Sequence, residues 1–177
     1  MPLSTLIIAC GNSIRGDDRA GGLVADRVER AGLPGVDVLR VHQLTPELAE
    51  SVAGAGRTVI VDAGVGKRSS FRRVKARAGA ALTHYLTAET LAGLAERLYG
   101  TTPEVYLLTV PGRSFDLSEK MSDPATRVAQ RAARRLISFL HSREGDGEAG
   151  EKKRAPAKGR APAARGNFHL GQDAQAR

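Results

Sequence analysis

The sequence predicts a three-layer α/β fold: a mostly parallel, twisted five-stranded sheet with helices on both faces. Three observations predict it. Short apolar runs alternate with stretches of helical periodicity, the order expected of parallel strands joined by crossover helices. Thr5–Ala9 and Thr58–Val61 are continuously apolar, as strands covered on both faces are. Gly, Pro and Asn cluster where one pattern gives way to the next.

Each element follows from local chemistry. Thr5-Leu6-Ile7-Ile8-Ala9 is the first strand, broken by a turn at Cys10-Gly11-Asn12. A helix runs from Asp17 to Ala31 and is ended by Gly32 and Pro34. Val36–Val41 alternates as a second strand. Thr45-Pro46-Glu47 opens a second helix, with Thr45 as the N-cap and Pro46 in the first turn. Its body is Leu48–Val52, and Gly54 and Gly56 close it. Thr58–Val61 is the central strand, and Asp62-Ala63-Gly64 stands at its end. Phe71–Arg77 alternates apolar and basic residues, which suits an edge strand that resists further pairing. Thr87–Leu98 is a helix with Leu91, Leu94, Ala95 and Leu98 at helical spacing. Val105–Val110 is the fifth strand, stopped by Pro111-Gly112. The last helix spans Asp123–His141, with Val128, Ala132, Leu136, Ile137 and Leu140 on one face.

Residues 1–143 therefore form one domain. From 144 to 177 the chain is rich in Gly, Ala, Pro, Lys and Arg and poor in large apolar residues. Such a segment cannot offset its ordering entropy, so it reads as a basic, disordered tail.

Composition narrows the class. The 177 residues include no Trp and only 4% aromatics, so the core is built from Ala, Val, Leu and Ile. One cysteine excludes an internal disulfide and offers no zinc-finger spacing. No apolar run reaches membrane-span length, and the N-terminus has no basic region followed by an apolar one. The expectation is a soluble, cytoplasmic protein with no membrane partner. The net charge of +8 suits an acidic partner, nucleic acid or plain solubility. The basic run in the tail has no interleaved aromatics for base stacking, which favours a solvated tail over nucleic-acid binding.

Sites in such sheets lie outside the carboxyl ends of the strands. Three segments bring useful side chains there: Asp17 and Asp18 after the first strand, Asp62 at the end of the third, and His84 after the fourth. Two carboxylates and an imidazole make a mixed oxygen and nitrogen site suited to a borderline divalent metal such as nickel or zinc. Each also has an ordinary reading. Asp17 suits a helix cap, Asp62 a turn, and His84 a structural or solvated position.

Gly11-Asn12-Ser13-Ile14-Arg15-Gly16-Asp17-Asp18, with Asp62-Ala63 after a central strand and a later His before a helix, resembles the hydrogenase maturation proteases. These endopeptidases trim the C-terminus of the [NiFe]-hydrogenase large subunit. The resemblance covers nearly all of 3–142, including Gln43-Leu44-Thr45-Pro46-Glu47-Leu48 and Asp116-Leu117-Ser118. It implies a nickel-sensing site of two carboxylates and one histidine. By position these are Asp18, Asp62 and His84, which serve as metal ligands and as the catalytic set. Asp17 matches the neighbouring acidic position, which is not normally the ligand. Glu47 matches a position near the substrate groove. Where the family often has Gly after the acidic pair, this chain has Arg19, which alters local backbone and charge. The family also implies a monomer, with the large-subunit precursor as partner and nickel supplied by that substrate. A cluster that borrows its substrate's nickel needs no complete ligand set of its own.

Other chemistries find no support. No Gly-x-Ser-x-Gly elbow and no His-Glu-x-x-His motif is present. Cys10 suits a small buried hydrophobe. Gly64-Val65-Gly66-Lys67-Arg68-Ser69 approaches a phosphate loop, but Arg68 stands where Ser or Thr must follow the lysine. Gly11 and Gly16 do not make a dinucleotide fingerprint, and no organic cofactor is expected. The leading expectation is a metal-dependent endopeptidase. The alternative is a non-catalytic metal-sensing or chaperone-like module for the immature subunit. A third reading is a small-molecule domain of the doubly wound type, which the missing phosphate motifs disfavour.

Overall fold

The computed structural model describes residues 4–77 and 86–150. Five strands form one sheet: β1 (Thr5–Cys10), β2 (Val36–Val41), β3 (Arg57–Val65), β4 (Ser70–Arg73) and β5 (Glu104–Gly112). Their order is β2-β1-β3-β5-β4, all parallel except β4, which runs antiparallel to β5 at the edge. The helices are α1 (Ala20–Ala31), α2 (Leu48–Gly54), α3 (Ala88–Tyr99) and α4 (Asp123–Gly150).

Alternate residues of the strands feed two cores. Ile7, Val59, Val61, Leu108 and Val110 pack with Val24 and Val28 of α1 and with Ala129, Ala133 and Leu136 of α4. Ile8, Ile60 and Val105 face the other way, against Val52 of α2 and Leu91 and Ala95 of α3. The three predicted layers are present. The scarce aromatics are concentrated: Phe71, Tyr106 and Phe139 stack edge and face at centroid distances of 4.9–5.4 Å.

Several boundaries differ from expectation, each for a local reason. Asp62, Ala63 and Gly64 do not end β3. Their backbones pair with Thr109, Val110 and Pro111, and the strand runs on to Val65. Pro111 is likewise inside β5, beyond Ser70, the first β4 residue, so its missing N–H removes no ladder bond to that strand. β4 is shorter than Phe71–Arg77 because Arg77 turns its N–H to the Glu89 carbonyl. Thr45 does not cap α2. Thr45 and Pro46 instead offer their carbonyls to the N–H groups of Leu48 and Ala49, and α2 starts at Leu48. The helix α4 continues to Gly150, past His141. Residues 151–177 of the expected tail lie outside the described residues.

α1 lies tight against β1. A Cβ added to Gly21 would sit 2.1 Å from the carbonyl oxygen of Cys10. A Gly21→Ala variant must push α1 off the sheet. It is expected to lose about 2–4 kcal/mol despite its better helix propensity, as overpacking and strain of this severity do. A urea midpoint equal to wild type would contradict this packing.

Candidate active site

The sheet order reverses at β1, with β2 on one side and β3 on the other. That is the switch point where α/β sheets bind ligands, and the functional residues gather there. Gly11 turns the chain as it leaves β1, with φ of +137°, and a Cβ there would lie 1.9 Å from the Asp18 carbonyl oxygen. No side chain fits that bend. Asn12 completes it. Its side-chain oxygen accepts from the Ile14 N–H (3.0 Å), and its own N–H donates to Oδ2 of Asp18 (2.8 Å). The Asp18 carboxylate is thus held by the turn that precedes it.

Asp17 points to a different task. It is fully buried. Its Oδ2 accepts from the N–H of Arg113 (2.7 Å), the N–H of Ser114 (3.1 Å) and the hydroxyl of Ser122 (2.9 Å). Its Oδ1 accepts from the Ser122 N–H (2.7 Å). Burial works against the charge, but the donors from Arg113, Ser122 and Ser114 outweigh it and hold the carboxyl below its ordinary range. Asp17 therefore does not cap its own helix, as its position suggested. It fastens the turn after β1 to the loop after β5 and to Ser122, whose hydroxyl accepts from the Ala125 N–H at the start of α4.

Backbone bonds extend this seam. Gly16 N–H donates to the Ser118 carbonyl (2.8 Å), Ser118 N–H to that of Ile14 (2.9 Å), and Asp17 N–H to that of Ser114 (2.8 Å). Arg19 adds a bond from its guanidinium to the Glu119 carbonyl. At φ −69° and ψ −6° Arg19 has ordinary helical geometry. An arginine here, where the resemblance implies glycine, therefore strains nothing.

Asp62 enters from β3. Its side chain reaches solvent, yet the surrounding protein withdraws enough hydration to push its pKa up. The nearby Asp18 carboxylate pushes the same way, against one bond from the Ala63 N–H. Cys10, buried at the end of β1, is raised to about 12 by burial first and then by Asp62 and Asp18. Its thiol stays protonated at neutral pH, so it is no nucleophile. Two neighbouring carboxylates are a natural seat for a cation. Among the described residues no group of three His, Cys, Asp or Glu side chains is placed to hold a metal. His84, the third expected ligand, lies outside the described residues.

On the other side of Asp18, toward β2 and α1, lies a cavity of about 560 Å³. Cys10, Gly11 and Asp18 border it, as do Leu23, Val41 and Met121.

No family model and no curated protein sequence matches the chain. Solved structures do. The [NiFe] hydrogenase maturation protease HycI from Thermococcus kodakarensis is 26% identical, with a TM-score of 0.62 over 78% of this chain and 93% of that one. In fold and sequence the chain is similar to the hydrogenase maturation proteases. Two further maturation proteases share the fold. HybD from the same archaeon is 22% identical, covering 78% of this chain and 99% of its own (TM-score 0.60). The maturating endopeptidase HybD from E. coli is 18% identical, covering 79% and 93% (TM-score 0.60).

Within this maturation-protease fold, the structure brings together Asp18 and Asp62, two of the residues that the sequence singles out. Sequence reasoning misses what holds them. The sequence marks Asn12 only as part of a bend, although an Asn two residues before Ile14 suits the side-chain turn it makes. Ser114 and Ser122 carried no local signal, since their partner is about a hundred residues away. Gly64–Ser69 leads into β4 rather than a helix, so it lacks the helix N-terminus that a phosphate loop needs. No described helix is long and apolar enough to cross a membrane.

Proposed function

We propose that this protein is an endopeptidase that removes a C-terminal peptide from the nickel-loaded precursor of a [NiFe]-hydrogenase large subunit. The observation that carries the reading is the Asp18–Asp62 pair at the switch point, each carboxylate opposing the charge of its neighbourhood. In this reading Asp18, Asp62 and His84 contact the nickel already installed in the substrate, and that contact sets the scissile peptide beside them. The metal is recognition element and cargo together. Water attack falls to polarisation by the metal or to a carboxylate base. Asp62 is the carboxylate whose proton affinity the protein raises. The enzyme acts as a cytoplasmic monomer, without a membrane or nucleic-acid partner.

The test is incubation of the full chain with nickel-loaded precursor, read by mass spectrometry. The expected result is loss of one C-terminal peptide, and no loss from metal-free precursor. His84→Ala is expected to slow trimming on the order of 100-fold or more, the size of a missing catalytic group. Binding of the loaded precursor without any mass change would instead identify a non-catalytic metal-sensing module.

A further inference from the structure

The outward face of the α1–α4 layer carries exposed charge of one sign. On α4, Arg127, Arg131, Arg134 and Arg135 are exposed, while Ala129, Ala133 and Leu136 are buried against the sheet. Steps of four, three and one residues put these arginines on one side of the helix, opposite the core. Arg27 and Arg30 are exposed on α1, which packs beside α4. None of the six meets an acidic side chain among the described residues. Asp26 and Glu29 of α1 are both taken by Arg40. Asp123, the first residue of α4, is the only acid among the described side chains of that helix.

A solvated helix face ordinarily mixes both signs. Here Arg131 stands three or four positions from Arg127, Arg134 and Arg135. Like charges at that spacing weaken a helix, and a partner bearing carboxylates would relieve them. We infer that this face is a docking surface for an acidic patch on the folded body of the precursor, an inference that rests on the proposed function. The stripe begins beside the site, because Thr126 borders the cavity next to Asp18 and Arg127 follows it. From Arg127 to Arg135 it runs about 12 Å along α4, away from the carboxyl ends of the strands. A folded protein that seats its metal at Asp18 and Asp62 is broad enough to reach it.

The chemistry favours protein carboxylates over nucleic acid. All six cations are arginines, whose planar fork meets a carboxylate in two parallel bonds. Among the described residues neither α1 nor the start of α4 exposes an aromatic ring on which a base could stack. Asp26 and Glu29 interrupt the basic face on α1. They repel a continuous phosphate backbone, whereas a protein surface presents its carboxylates singly. Charge contacts of this kind act mainly on association and are screened by salt.

The experiment measures Kd, association rate, KM and kcat for the full chain with precursor, at about 50 and about 500 mM salt. Arg131→Glu is expected to raise Kd and KM about fivefold or more at low salt, through slower association, with kcat within about threefold. Metal-free precursor should show the same loss of affinity, because this contact does not involve the nickel. At high salt the variant and wild type should converge. Arg131→Lys keeps the charge and should stay within about twofold of wild type. So should Arg97→Glu, an equal change of charge on α3 across the sheet. The Tm of Arg131→Glu should be no lower than wild type, since the reversal relieves like charges along α4. An unchanged Kd in Arg131→Glu, or an equal loss in Arg97→Glu, overturns the docking face. Tighter Arg131-dependent binding of a DNA duplex of about 20 base pairs, or of anionic vesicles, also overturns it and assigns the face to that polyanion. Absence of trimming by wild type would overturn the proposed function, whereas the Kd series with metal-free precursor would still decide the face.

Discussion

Asp17→Ala is expected to destabilise the protein by about 2–4 kcal/mol, because it strips the shared, buried acceptor from four part-buried donors. That is a large share of the stability of an ordinary domain. Asp17→Asn is expected to recover only part of it. Both carboxylate oxygens accept, so the amide nitrogen must face at least one N–H or O–H donor. Urea titration at neutral pH checks both variants. The acid limb gives a second check. The folded pKa of Asp17 lies below the unfolded value of 3.8, so its contribution is complete above that range and is lost as pH falls through the folded value. Wild type should lose its advantage over Asp17→Ala in that acid window. A constant difference between the two, or a neutral-pH difference under 1 kcal/mol, would mean that the seam around Ser122 holds without Asp17.

Asp62→Asn is expected to act in the opposite sense on stability while abolishing trimming. Asp62 has a raised pKa, so its ionised form is disfavoured by folding, and stability falls as pH rises from the unfolded value of 3.8 through the folded one. The neutral amide escapes that loss. The metal-free variant should therefore be more stable than wild type at neutral pH and converge with it in acid. The gain is at most about 1 kcal/mol, since solvent reaches the side chain and screens it. Trimming of loaded precursor should fall on the order of 100-fold or more, and Asp18→Asn should do the same. A stabilised, inactive variant is the mark of a group kept for chemistry at a cost in stability. Near-normal trimming by either variant would remove the pair from the mechanism.

Elements whose signals are local were legible in the sequence. β1 and β2 read correctly because an apolar run and an alternation each report burial residue by residue. Thr87 caps α3 as its type suggests, accepting from the Thr90 N–H at 3.2 Å. Errors arose where pairing overrides local preference. Asp62-Ala63-Gly64 has turn composition, yet β5 supplies a partner for each residue. Asp17 has the position of a cap, yet its donors arrive from Arg113, Ser114 and Ser122. The same division runs through the site. Asp18 and Asp62 can be singled out from the apolar runs that precede them, whereas the grip of Asn12 and the cavity beside Asp18 exist only once the chain is folded.

The Asp17 seam also sets an order of events during synthesis. Its bonds span 96 to 105 residues, so they belong to the slow, long-range part of folding. A nascent chain that has emerged only as far as β3 already carries Asp18 and Asp62, but not the donors that fix the turn between β1 and α1. Those arrive with Arg113, Ser114 and Ser122, just ahead of α4. A ribosome-bound fragment short of that point holds Asp18 on an unfastened turn. The turn that carries Asp18 is thus fastened only when nearly the whole sheet and the start of the final helix are in place.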